Sequence, residues 1–203
     1  MSVFSASRSS YPLGRAASRR QERSIGGWAR SRHSGRANRR VVAVCERAAT
    51  RLGQDLGPTW KIVHIPDPDA ASVADDHAGF LAIGPSGVFA VSVVDQGRQR
   101  VMIAGDVIQI KGTRPPYVLR ARKFARTVRS ALTASVGTRV PVVPVLTFVG
   151  SGAISAHGLP TGCLAVSLKE LGAVLLGAGD KIAPETARKL ADVASHPLTW
   201  VER

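Results

Sequence analysis

Acidic residues are scarce in this chain: 14 Asp and Glu stand against 28 Lys and Arg, a formal charge of +14 over 203 residues. Such a surplus points to an anionic partner, whether nucleic acid, an anionic membrane surface or an acidic protein. Cysteine is nearly missing too. Cys45 and Cys163 are too few for a disulfide framework or a metal cluster, and they fit two buried, reduced thiols of a cytoplasmic protein. Long apolar runs are absent, none approaching the roughly 18 residues of a membrane span, so no transmembrane segment is expected. The five His (33, 64, 77, 157 and 196) have no metal-ligand spacing. No G-x-S-x-G elbow and no long Gly-rich loop carrying a Lys is present, which removes the usual hydrolase and nucleotide-site signatures.

The charge that is present is unevenly placed. Residues 1–40 hold ten Arg and one acid, Glu22, and so carry +9, leaving +5 for residues 41–203. Arg, Ser, Ala and Gly dominate that first stretch, which cannot bury enough apolar surface to offset chain entropy. The expectation is a disordered Arg/Ser-rich basic tail over 1–40 and one folded domain over 41–203.

Within 41–203 the apolar pattern alternates between strand and helix periods. Val41, Val44, Ala48 and Leu52 recur at helical spacing, and Gly57-Pro58 stops that helix at Leu56. Trp60–Ile65 reads as a strand closed by a turn at Pro66–Asp69. Two apolar runs, Phe80–Ile83 and Val88–Val94, flank the turn Gly84-Pro85-Ser86-Gly87, where Pro85 presets φ. This is a hairpin buried on both faces, with Val88, Ala90, Ser92 and Val94 on one side and Phe89, Val91 and Val93 on the other. A second hairpin pairs Val101–Ala104 with Val107–Ile110 around Gly105-Asp106.

Pro116 opens a helix reaching about Ser135, with Ala121, Ala125, Val128 and Leu132 as its core stripe. Arg122, Arg126 and Arg129 form a second stripe on it, and Lys111 to Arg129 holds seven basic residues and no acid. Val140–Val149 is a long strand whose Pro141 and Pro144 place its first half at an edge or bulge. A short strand over Cys163–Ser167, helices over 168–176 and 184–194, and a core Trp200 complete the reading.

The stretch Gly79–Val94, GFLAIGPSGVFAVSVV, resembles the active-site segment of the NERD (nuclease-related) domain, above all its actinobacterial versions. Lys111–Tyr117 (KGTRPPY), Val140–Gly150 and Thr199-Trp200 resemble further motifs of that family in the same order, so the resemblance covers roughly 41–203. It implies an α/β, restriction-endonuclease-like mixed sheet of about five strands flanked by helices. In that family an Asp on the first hairpin strand and an acid-x-Lys on the second hold a divalent metal, often with a Glu from the preceding helix. Anchored on Gly84-Pro85, those positions fall here on Gly79, Ser92 and Val94, and only Glu46 stands where the helical Glu is expected.

Three readings follow. The first is a nuclease-related domain that is catalytically inactive, a pseudoenzyme without cofactor, binding DNA or RNA through its tail and through Arg114, Arg120, Arg122, Lys123, Arg126 and Arg129. The second is a nuclease dependent on Mg²⁺ or Mn²⁺, with a migrated site built from Glu46, Asp76 and Asp95. A rival alignment, with Asp76-His77 as the family's Asp-His pair, would keep one metal-binding acid but puts it on the opposite strand face unless a bulge intervenes. The third is a protein-interaction or structural domain with an acidic protein partner.

Overall fold

The computed structural model describes residues 25–65 and 77–200, the side chains of 25–39 and of His77 lying outside that description. Strands β1 (Lys61–His64), β2 (His77–Gly84), β3 (Gly87–Asp95), β4 (Val101–Ala104) and β5 (Val107–Ile110) lie between helices α1 (Ile25–Leu56) and α2 (Tyr117–Val136). They are followed by β6 (Val142–Val149), β7 (Ile154–Ala156), β8 (Leu164–Ser167), α3 (Leu168–Gly177), α4 (Pro184–Ser195) and a 3-10 turn at Pro197–Trp200. A five-stranded mixed sheet in the order β1-β2-β3-β6-β8 forms the centre. β2 runs antiparallel to both β1 and β3, while β6 lies parallel to both β3 and β8.

The strand period of two sorts the β3 side chains between two helical layers. Phe89, Val91 and Val93 pack with Val44, Ala48 and Leu52 of α1 and with Leu171 and Leu175 of α3. Val88 and Ala90 face the other way, against Ala125, Val128 and Leu132 of α2 and Leu190 of α4. The core stripe read from the α2 sequence is therefore its buried stripe, with Tyr117 and Val118 added at its start. Gly137 ends α2 in the left-handed conformation, with φ of 76°, donating its N–H to the Thr133 carbonyl.

The prolines of β6 also have a structural explanation. β6 pairs with β3 over its whole length, but β8 joins it only from Val145 onward. Residues 142–144 are thus open on one side, where the missing N–H of Pro144 costs no ladder bond.

Three features differ from the sequence expectation. α1 begins at Ile25 rather than Val41, its backbone continuing through residues 25–40 of the expected tail. Ala and Arg are strong helix formers, and a helix nucleated by its packed half propagates readily. The remainder of that tail, residues 1–24, lies outside the described residues. A second, three-stranded sheet in the order β5-β4-β7 was not anticipated. Its third strand has three residues, too short to show an alternation. Trp200 is half-buried rather than a core residue, donating from Nε1 to the Ala194 carbonyl at 2.9 Å. Among the described residues, no helix is long and apolar enough to cross a membrane.

The two thiols are buried, as expected. Burial, reinforced by neighbouring Glu46, pushes the Cys45 thiol up to about 12, and burial raises Cys163 to about 11. The thiolate is the reactive form, so both should resist a thiol reagent near pH 8 in the native protein and react fully once it is unfolded. Rapid native-state modification of either would show that the burial is wrong.

Candidate functional site

Gly79 and Ser92 are direct partners in the β2–β3 hairpin and share a sheet face. Two residues beyond Ser92, Val94 lies on that same face, the one covered by α2 and the small sheet. It is an arrangement of three positions with no room for an ion. Ser92 and Val94 are both 0% exposed. Val94 packs with Ile103, Ile108, Tyr117, Val118 and Phe148, so the small sheet and the start of α2 close over it. Above Gly79 stands the ring of Phe124. A Cβ at position 79 would come within 2.8 Å of that ring and 2.9 Å of the Val91 carbonyl oxygen.

No carboxylate faces this point from the positions that would hold a metal. The Ser92 hydroxyl is buried without a hydrogen-bond partner, and so is the Thr147 hydroxyl on the neighbouring strand. A lone buried hydroxyl is a neutral, weak ligand, and a hard divalent cation needs six or more oxygens, several of them charged. Gly79, Ser92 and Val94 do not fit Mg²⁺ or Mn²⁺. Added Mg²⁺, Mn²⁺ or EDTA should therefore leave the melting temperature unchanged, since only a ligand that binds the native state raises it. A clear stabilisation by Mn²⁺ would contradict this account of the site.

The migrated site is not assembled either. Glu46 is exposed on α1, and α1 covers the face of Val91 and Val93, across the sheet from Ser92. Asp95 also belongs to the α1 side, by the alternation from Val93, but its oxygens are taken. Arg40 donates from Nε to Oδ2 at 2.9 Å, and the Gly97 N–H donates to Oδ1 at 3.1 Å. The Asp95 side chain is 12% exposed and compensated by Arg40, which makes it a structural ion-pair partner. Asp76 lies outside the described residues. Among the described residues no group of three or more His, Cys, Asp and Glu could hold a metal ion.

The basic residues form the other candidate site. Arg114, Lys123 and Arg126 are exposed, while Arg120, Arg122 and Arg129 are half-buried. Arg122 is not short of a counter-charge, contrary to the sequence reading. Its two terminal nitrogens donate to both oxygens of Asp106 at 2.7 and 2.8 Å, and one also donates to the Thr161 carbonyl. The Arg122 hydrogen bonds hold the Asp106 carboxyl below its usual range. Asp106 precedes the all-basic run by five residues in sequence, and the β4–β5 turn brings it back onto α2. Arg122 thus ties the small sheet to α2. Arg129 donates to the Val142 carbonyl at 3.2 Å, at the open side of β6, while its Nε is buried without a partner. Lys111, Arg114, Arg126 and Arg129 have no ion-pair partner among the described residues.

The sequence offered no sign of one further feature, a groove of about 670 Å³ at the opposite end of the hairpin. Trp60, Pro85, Ser86, Leu176, Lys181 and Pro184 line it. It is remote from the Gly79–Ser92 pair and does not serve it. No family model, curated protein or solved structure matches the chain.

Proposed function

We propose that this is a nuclease-related, NERD-like domain without metal chemistry, which binds nucleic acid through the basic face of α2. The observation that carries the binding is the imbalance of charge there. Of the seven Lys and Arg from Lys111 to Arg129, Asp106 neutralises Arg122, while Lys111, Arg114, Arg126 and Arg129 have no ion-pair partner among the described residues. Guanidinium groups suit phosphate oxygens because their N–H donors match the geometry of an oxyanion. Arg126 is exposed, and Arg129 is held in place by Val142, leaving two cations one turn apart to meet a phosphate backbone. Cleavage is not part of this reading, because phosphodiester hydrolysis of this type requires a metal to activate water and shield developing charge.

Arg126→Ala with Arg129→Ala should flatten the dependence of log K on log salt by about one to two units for duplex DNA, at roughly 0.9 per lost phosphate contact. Fluorescence anisotropy of a labelled duplex across a salt series measures it. An unchanged slope removes α2 as the binding surface. The second reading, an acidic protein partner, is favoured by Leu119, which stands 61% exposed immediately before Arg120 on the same helix. Under that reading nucleic acid fails to bind even at low salt.

A further inference from the structure

Between Asp95 and Glu170 the sequence holds one acid, Asp106. It stands in the turn Gly105-Asp106 between β4 and β5, and its carboxylate is seated on α2. Arg122 donates from one terminal nitrogen to Oδ2 at 2.7 Å and from the other to Oδ1 at 2.8 Å. This is the two-pronged grip with which a guanidinium also takes two oxygens of a phosphate. The Asp106 carboxylate therefore stands where a phosphate group would sit.

The small sheet has other holds on the domain. Ile103, Ile108 and Ile110 pack with Tyr117, Val118 and Ala121 of α2. The Gly105 N–H donates to the Gly158 carbonyl at 3.1 Å, and β7 pairs with β4 over Val101 to Ile103. The ion pair itself is open to water, the Arg122 side chain being 31% exposed and that of Asp106 52%. A pair so exposed contributes little to stability, because water and salt screen it. Asp106 is also a turn residue, so its side chain can rotate away without breaking a ladder bond.

Helix geometry sets Arg122 in line with the two cations already assigned to phosphate. At 100° per residue, positions 122, 126 and 129 fall within an arc of about 60°, over about 10 Å of helix. Arg126, in the middle of that row, is exposed. The outer two are each anchored to a backbone carbonyl, Arg122 to that of Thr161 and Arg129 to that of Val142. Arg122 keeps this anchor, and with it its aim, when Asp106 leaves.

We infer that Arg122 is a third phosphate contact of the α2 face, and that Asp106 holds its place in the free protein as an internal competitor for the nucleic-acid backbone. On binding, a phosphate group takes the two donors of Arg122 and the Asp106 side chain turns out to solvent. The inference rests on the proposed binding of nucleic acid by α2. It adds to that surface a concealed contact and a restraint on affinity built into the fold.

The test is a double-mutant cycle on a labelled DNA duplex, read by fluorescence anisotropy across a salt series. Asp106→Asn keeps the shape of the side chain and removes its charge. It should tighten binding about two- to fivefold at low salt, the range that exposed ion pairs span. Arg122→Gln should flatten the slope of log K against log salt by about one unit, since one phosphate contact is lost. In the Arg122→Gln background, Asp106→Asn should lose its gain, because the two residues act as a pair. Thermal melting checks that each variant is folded, with a shift of no more than about 4 °C expected for Asp106→Asn. Should Arg122→Gln loosen the small sheet, Arg122→Lys replaces it. Lys keeps the charge but grips as a point, so the gain from Asp106→Asn should shrink there too.

An equal gain with and without Arg122 overturns the inference, since Asp106 would then act only by repelling the duplex at a distance. No gain from Asp106→Asn, or an unchanged slope with Arg122→Gln, overturns it as well. A slope that flattens in the Arg126→Ala, Arg129→Ala variant without any Asp106–Arg122 coupling overturns this inference alone. No binding of the wild-type chain to the duplex at low salt overturns it together with the α2 reading.

Discussion

Gly79→Asp, which would return an acid to the hairpin, should destabilise the protein by about 3 kcal/mol or more rather than create a metal site. Two effects act together. The added Cβ meets the Phe124 ring at 2.8 Å and the Val91 carbonyl at 2.9 Å, and the carbonyl belongs to the backbone of β3 and cannot swing aside. The carboxylate would also sit opposite Ser92, which is 0% exposed on that sheet face. For a domain of this size each kcal/mol shifts the melting temperature by roughly 2–4 °C, so a loss of about 6–12 °C is expected. Gly79→Ala isolates the steric part. Gly79→Asp combined with Phe124→Ala should cost less than the sum of the two changes, because the ring that clashes has gone. A Gly79→Asp variant that melts at the wild-type temperature and is stabilised by Mn²⁺ would show that the site opens and takes a metal.

The second large effect is expected at the other end of the same strand. Gly84 pairs with Gly87 across the hairpin turn, and a Cβ there would lie 2.2 Å from an atom of the Trp60 indole. Trp60 is 6% exposed and stands against Phe89, with ring centroids 5.9 Å apart, so the indole can give way only by leaving that packing. Gly84→Ala should therefore cost about 2–3 kcal/mol as overpacking, although Ala is the smallest possible addition. Gly105, in the turn between β4 and β5, has nothing within 4 Å of a built Cβ, although its φ of 56° is one that side chains rarely adopt. Gly105→Ala should cost about 1 kcal/mol, as backbone strain alone. Thermal denaturation of the pair separates crowding from conformation. Equal losses at both positions would mean that the Trp60 contact is not what requires glycine at 84.

Much of the fold was legible because it is written in local periods. The alternation over 88–94 set the two faces of β3, and the spacing of Ala121, Ala125, Val128 and Leu132 set the buried stripe of α2. Pro141 and Pro144 announced the open side of β6, since a residue without an N–H is tolerated where no neighbour needs one. The sequence was also enough to show that Gly, Ser and Val stand at 79, 92 and 94. These are properties of a residue and its near neighbours, fixed by backbone geometry whatever the rest of the chain does.

Only the tertiary structure decided what each charge meets. Arg122 finds Asp106 sixteen residues away, and Arg40 finds Asp95 fifty-five residues away. Neither pairing leaves a mark on local periodicity. The crossing of α1 and α2 on opposite faces separates Glu46 from Ser92 and divides the basic residues between two layers. Phe124 looks like one more apolar residue of a helix until the sheet brings Gly79 beneath it. Side-chain direction along one element follows from the backbone repeat, but which side chains meet depends on where the chain returns, and that is settled by the packing of all the elements at once.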